Sequence, residues 1–156
     1  MTKVRVVIDN LLLEETVPNT IVSILYIEND DICFPSHKWI ELSSSVLDMW
    51  LSTLADFFVC SKVQAVLHFM DGPYSLRITR TSENRFQLEM INIHNTIAIL
   101  EAIDIMYFCR QILSVSEKMR CFAETVNNVK IQATLSEKIN KLKNAFIETK
   151  QAKLEK

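Results

Sequence analysis

The chain has 156 residues, of which 49% are hydrophobic and 23% are charged, and its formal net charge is −2. This length and balance are typical of one globular domain, which buries about two-thirds of the surface that its unfolded chain exposes. The single glycine, Gly72, excludes the glycine-rich loops that hold phosphate, and the lack of a basic excess argues against direct nucleic-acid binding.

The chain begins with strand patterns and continues with a helical one. Residues 3–13 and 20–28 are rich in valine, isoleucine and leucine, and a short strand at 32–34 is stopped by Pro35. We therefore assign residues 1–35 to N-terminal strands. From Ser36, a suitable N-cap, the spacing changes to three and four and predicts a central core helix over residues 36–61. Its stripe consists of Trp39, Ser43, Val46, Leu47, Trp50, Leu54, Phe57 and Phe58.

The second half of the chain predicts a meander followed by helices. Residues 63–93 read as a three-stranded antiparallel meander with one buried face, formed by Tyr74, Leu76, Ile78, Phe86, Leu88 and Met90. Residues 95–155 read as two C-terminal helices, the first capped by Asn95 or Thr96 and broken at Asn127-Asn128. The prediction is one α+β domain over residues 1–156, with a mainly antiparallel sheet and the helices packed on one of its faces.

Cysteine usage and hydropathy predict a cytoplasmic protein. The four cysteines form no C-x-x-C pair and have apolar neighbours, which favours small buried side chains in a reducing compartment. The longest stretch without Asp, Glu, Lys or Arg covers twelve residues, 16–27, which is too short to cross a membrane.

The candidates for catalysis are incomplete. Cys33 and His37 have the spacing of a thiolate–imidazole pair, but no orienting group or oxyanion hole accompanies them. His37 and Glu41 would share one helix face, whereas a zinc site needs at least three protein ligands, and His68 and His94 lie on or after separate strands. We therefore predict no catalytic residue, metal ligand or cofactor, and a hydrolase with a cryptic site ranks last among the functions considered.

Two polar groups are candidates for binding a protein partner. The first is the acidic group Glu28, Asp30 and Asp31, and the second is the outward face of the meander, with Arg77, Arg85, Gln87 and Glu89. Residues 137–156 carry a net charge of +3 and the remaining chain −5. The net negative charge of residues 1–136 suits a partner of positive or mixed charge, which the chain would recognise by charge complementarity.

The most distinctive local sequence surrounds the turn Asp71-Gly72-Pro73, which is typical of a rigid hairpin connection. Together with Phe34-Pro35-(x)3-Trp39, Leu47-(x)2-Trp50 and Leu67-(x)-Phe69-Met70 ahead of it, this stretch resembles small bacterial immunity proteins, over residues 30–92. Those proteins are encoded beside secreted polymorphic or contact-dependent toxins. The resemblance implies a cytosolic, non-enzymatic inhibitor that covers the active site of a cognate toxin domain, or a surface beside it. Many such toxins are nucleases.

A homo-oligomeric scaffold or adaptor is the alternative function. The last helix carries an apolar stripe, Leu135, Ile139, Leu142 and Phe146, with lysines on its other faces. Such a stripe either packs on its own domain, which is the default, or forms a dimer seam.

Overall fold

Eight strands and three helices follow one another along residues 1–154, the part of the chain that the computed structural model describes. The first antiparallel sheet contains β1 (Arg5–Leu13), β2 (Ile21–Asn29), β3 (Ile32–Phe34) and β4 (Ile40–Glu41). The second contains β5 (Gln64–His68), β6 (Tyr74–Ser82), β7 (Arg85–Asn92) and β8 (Asn95–Leu100). The helices are α1 (Ser43–Val59), α2 (Ile105–Thr125) and α3 (Val129–Leu154). The α+β class is therefore as predicted, with the strands divided between two sheets; residue 155, the predicted end of the last helix, lies outside the described residues.

The first sheet is built around β2, which pairs with β1 on one side and with both β3 and β4 on the other. Alternate β2 residues point into the core and are almost completely buried: Ile21, Ser23, Leu25 and Ile27. The predicted strands of this region are confirmed, including the short strand that ends at Phe34, immediately before Pro35.

The central helix begins later than its sequence pattern predicts. The predicted start at Ser36 is wrong, because residues 36–42 contain a turn at His37-Lys38, where Lys38 has φ 58°, followed by the two-residue strand β4, and α1 begins only at Ser43. The carbonyl of Trp39 accepts a hydrogen bond from the Leu25 backbone, and β4 pairs with β2. Backbone pairing with the sheet therefore outweighs the helical spacing of Trp39. From Val46 onward the predicted stripe is confirmed, with Trp50 fully buried and its Nε1 donating to the His68 carbonyl over 2.8 Å.

The predicted meander is confirmed and has a fourth strand. Residues 95–100, predicted as the start of a helix, form β8, so the assignment of 95–155 to helices alone is wrong at its beginning. The α2 helix begins at Ile105, and the Asp104 side chain caps it by accepting from the Tyr107 backbone over 2.9 Å. The turn into β8 has Ile93 at φ 57°, a conformation that a β-branched residue rarely adopts, so the sequence gives no usual turn signal there.

The last two helices meet where the sequence predicts. The break falls at Asn127-Asn128, where Asn127 has φ 56° and the Asn128 side chain caps α3 by accepting from the Ile131 backbone over 3.0 Å. The α3 stripe packs within the chain: Leu135, Ile139 and Leu142 are between 0% and 3% exposed. The apolar seam considered for a dimer is therefore occupied within the chain itself.

The two sheets are joined at the N-terminus of the chain. Thr2 forms a parallel bridge with Ile103, donating to the Ala102 carbonyl and accepting from the Asp104 backbone, both over 2.8 Å. The helices pack against β1, β2 and β5, and the inward residues of both sheets join them in one core. This arrangement leaves the opposite face of each sheet facing outward.

Candidate partner-binding surface

The outward face of the first sheet is apolar. Residues directly opposite in neighbouring strands share a face, and the register places Val7 beside Tyr26, Leu12 beside Val22, and Ile24 beside Ile40. We call these six residues the outer apolar face. All six lie outside the cluster of side chains that forms the core.

Two of the six residues of the outer apolar face are largely open to solvent, and one, Tyr26, is buried at 7% exposure. Ile40 is 60% exposed and Leu12 is 56% exposed, while Val7, Val22 and Ile24 are half-buried. Tyr26 is covered by the His37 ring, which meets it edge-on with 5.6 Å between ring centroids. A contiguous apolar patch of this kind, with polar residues around it, is typical of a protein–protein interaction site.

The predicted acidic residues lie at one end of this face. Glu28 shares the face with Arg5, and their side chains form an ion pair of 2.7 Å. Asp30 and Asp31 are exposed at the β2–β3 turn. Asp9 of β1 is also exposed and lies directly opposite Ile24 of β2. Lys3 and Arg5 lie beside Glu28, Asp30 and Asp31 at this end, so acidic residues outnumber basic ones along the rim without being the only charges there.

Tyr26 reports on the electrostatics of this surface. Burial raises the pKa of the Tyr26 phenol, and the negative charge of Glu28 raises this pKa further. Arg5 acts in the opposite direction and lowers it. Burial is the largest cause of the net rise, so the raised pKa reflects mainly the shielding of this phenol from solvent and only secondarily the charges around it.

The second predicted group belongs to the other sheet, and its polar side chains are largely paired with one another. Arg77 and Glu89 form an ion pair of 3.7 Å, Gln87 donates to Glu89 over 3.5 Å, and Thr96 donates to the other Glu89 oxygen over 3.2 Å. Arg85 is exposed at the start of β7. The structure therefore does not bring the two predicted groups together, and this second face has the pairing of a solvated surface.

The candidates for catalysis do not assemble. Among the described residues, no hydrogen bond joins His37 to Cys33, and no group of three metal-ligating side chains is close enough to hold an ion. His37 and Glu41 do not share a helix face, because both precede α1. The expectation of buried cysteines is wrong for three of the four: Cys33, Cys60 and Cys121 are exposed, and burial raises the pKa of the Cys109 thiol.

Glu41 holds the distinctive turn in place. Its side chain is buried, at 1% exposure, and accepts hydrogen bonds from the backbone of Met70 (3.1 Å) and Asp71 (3.0 Å) and from Trp39 Nε1 (3.2 Å). Gly72, at φ 140°, has the Tyr74 ring 3.0 Å from the position that a Cβ would take. The turn therefore joins the antiparallel strands β5 and β6 as a hairpin connection, as the sequence predicts, and a carboxylate ties it to the first sheet.

Sequence reasoning missed the outer apolar face, although β2 carries a signal for it. Along residues 21–27 apolar side chains occupy both alternating sets of positions, with Ser23 as the one polar residue. A strand of this composition is typical of a sheet covered on both faces. In the structure the chain covers the inward face of β2 completely and the outward face only at Tyr26, while Val22 and Ile24 stay half-buried.

Comparisons of the chain with known protein families, with curated proteins and with solved structures found no match. Within residues 1–154, no helix combines the length and the apolar character that crossing a membrane requires.

Proposed function

We propose that this protein is a non-enzymatic inhibitor of the immunity type, which acts in the cytoplasm by binding a cognate bacterial toxin domain. The observation that carries the proposal is the outer apolar face with its mainly acidic rim. An apolar centre of Val22, Ile24 and Ile40 loses water when a partner covers it, which is the main favourable contribution to association.

The acidic rim favours a basic partner. Glu28, Asp30 and Asp31 form a cluster at the β2–β3 end of the face, with Asp9 further along it. The substrate sites of nucleases are basic, so complementary charge would steer such a toxin domain to this end and fix its orientation. Inhibition then follows from occlusion: the bound protein lies over the active site or beside it and excludes the substrate.

The test is co-purification with the product of the adjacent upstream open reading frame. We expect a stoichiometric complex and suppression of the toxicity of that product when the two are produced together. Failure to bind, together with a stable self-dimer in light scattering, would replace the inhibitor with the scaffold alternative. Because the α3 stripe is buried, that dimer would need a surface other than the predicted seam.

The role of the acidic rim is tested by charge reversal. The pair Asp30→Lys with Asp31→Lys should slow association with the toxin by about tenfold at low salt and weaken the salt dependence of the rate. The matched control is Glu83→Lys with Glu101→Lys, which makes the same charge change at exposed positions of the second sheet and the segment after it. Equal effects of the two pairs would show that only net charge matters and would remove the rim from the interface.

A further inference from the structure

A cavity of about 310 Å³ lies between the ends of the helices and the β6–β7 turn. It shares no lining residue with the outer apolar face or with the acidic rim. Its wall is largely apolar and is contributed by α1, β7, the segment after β8, α2 and α3, through Phe58, Phe86, Ile103, Ile105, Met106 and Phe146.

Arg80 brings a positive charge to this apolar wall. It lies opposite Phe86 in the β6–β7 register, on the inward side of the sheet. Its guanidinium carbon is 5.1 Å from the centroid of the Phe86 ring and 5.2 Å from that of Phe57. The charge is therefore placed against two aromatic faces, where cation–π attraction holds it.

The Arg80 side chain has an unused hydrogen-bond donor among the residues that the structure describes. Its Nε is buried and has no hydrogen-bond partner among the described residues. Within residues 1–154, no carboxylate lies within 4.0 Å of its guanidinium nitrogens. A buried N–H without an acceptor is unfavourable, so an acceptor supplied by a ligand would be stabilised there.

The other charges around the cavity are consistent with an anionic ligand. Lys150 adds a second cation to the lining. The carboxylate of Asp104 accepts the cap bond of α2, and Glu83 is exposed on the β6–β7 turn. Neither acid forms an ion pair with Arg80 within 4.0 Å.

We propose that this cavity binds a small amphiphilic carboxylate. The carboxylate accepts from the Arg80 guanidinium, which is suited to planar, two-point recognition of such a group. The apolar tail of the ligand lies among the six apolar side chains. The cavity volume is near the lower end of the range for ligand pockets, about 300–1,000 Å³, which favours a short-chain acid such as octanoate over a long-chain fatty acid.

The experiment is a calorimetric titration of the full chain with octanoate and with the neutral analogue 1-octanol. We expect saturable binding of one octanoate per chain and at least about tenfold weaker binding of octanol, because only the carboxylate uses the charge of Arg80. This comparison uses the unaltered protein. The absence of saturable octanoate binding, or equal affinities for the two compounds, would overturn the proposal.

A matched pair of variants assigns the effect to Arg80. Arg80→Met keeps a long side chain against the two rings and removes the charge, and it should weaken octanoate binding at least about tenfold while leaving octanol binding unchanged. Arg110→Met, at an exposed position of α2, should bind octanoate as the unaltered protein does. Thermal melting shows that each variant is folded. Octanoate binding of normal strength by folded Arg80→Met would contradict the proposed site.

Discussion

The outward faces of the two sheets differ in chemistry, although neither is packed against a helix. The face of the first sheet presents Ile24, Ile40 and Leu12, whereas the face of the second presents mainly the polar residues Arg77, Gln87 and Glu89, with Ile99 exposed beside Glu89. On the second sheet the polar groups pair with one another, which suits permanent contact with water. On the first sheet, covering the exposed apolar side chains with a partner would remove them from water and lower the free energy, so this face favours association.

The contrast is sharpest within β4. Glu41, a charged residue, faces the core, whereas its neighbour Ile40 faces the solvent and is 60% exposed. This is the reverse of the usual arrangement in a sheet with one buried face. We therefore expect Glu41 to contribute to folding stability and Ile40 to partner binding, and the following experiments test that division.

The largest effect on stability is expected for Glu41→Gln. An amide cannot accept the hydrogen bonds of Met70, Asp71 and Trp39 as the carboxylate does, and its NH2 group would face backbone donors. We expect the free energy of unfolding, measured by urea denaturation, to fall by about 3 kcal/mol. The control Glu83→Gln, at an exposed turn position, should change it by less than about 0.5 kcal/mol. Similar losses for the two variants would contradict the role assigned to Glu41.

Ile40→Asp should have the opposite effect to Glu41→Gln, weakening partner binding and leaving the free energy of unfolding nearly unchanged. Because Ile40 is largely exposed, its loss should change the free energy of unfolding by less than about 0.5 kcal/mol. The same variant should weaken toxin binding by about 2 kcal/mol, or about thirtyfold in Kd. Ile99→Asp is the control, because Ile99 is 49% exposed and lies opposite Glu89, on the outward face of the second sheet. If the two variants bind the toxin equally well, the outer apolar face is not the interface.

The reactivity of Cys33 offers a test of where the proposed partner binds. It is exposed and lies opposite Glu28, at the acidic end of the outer apolar face. We expect iodoacetamide to label Cys33 at least about tenfold more slowly in the toxin complex than in the free protein, since a covering partner blocks access. Cys60, which is exposed at the end of α1, should be labelled at the same rate in both states. Equal slowing at both cysteines would indicate a general change and not local protection.

The smallest effect is expected on the second sheet. Arg77 is 40% exposed and Glu89 is 15% exposed, and 3.7 Å separates their charged atoms. A double-mutant cycle of Arg77→Ala and Glu89→Ala should give a coupling energy below about 1 kcal/mol that decreases at high salt. Toxin binding should be unaffected by either change. A coupling energy of several kcal/mol would show that this face is more than a solvated surface.

Local patterns predicted most of the elements, and the two failures have physical causes. Alternation and turn residues place β1–β3 and β5–β7 within a few residues of their positions. The helical spacing of Trp39 with Val46 is accidental, because the backbone around Trp39 is bonded to β2. In residues 95–100 the apolar spacing fits a helix as well as a strand, and pairing with β7 decides the outcome.

The candidate surface was predicted in part. The acidic residues Glu28, Asp30 and Asp31 are visible in the sequence as a charge cluster at a turn, and the structure places Glu28 on the outer apolar face. The apolar centre of that face was not predicted, because it depends on which strands pair with β2 and on which side the helices pack. Ile40 in particular lies inside the predicted helix of residues 36–61, and only its pairing with Ile24 shows that it belongs to a strand.

The sequence by itself determines the α+β class, most strands and the break between the last two helices, because alternation, helical spacing and turn residues act over a few neighbouring positions. Only the tertiary structure decides that Glu41 is buried while Ile40 is exposed, and that Arg80 faces an apolar cavity. These facts depend on contacts between residues far apart in the chain, such as Glu41 with Asp71 and Arg80 with Phe57. Such contacts depend on packing, which no local pattern specifies.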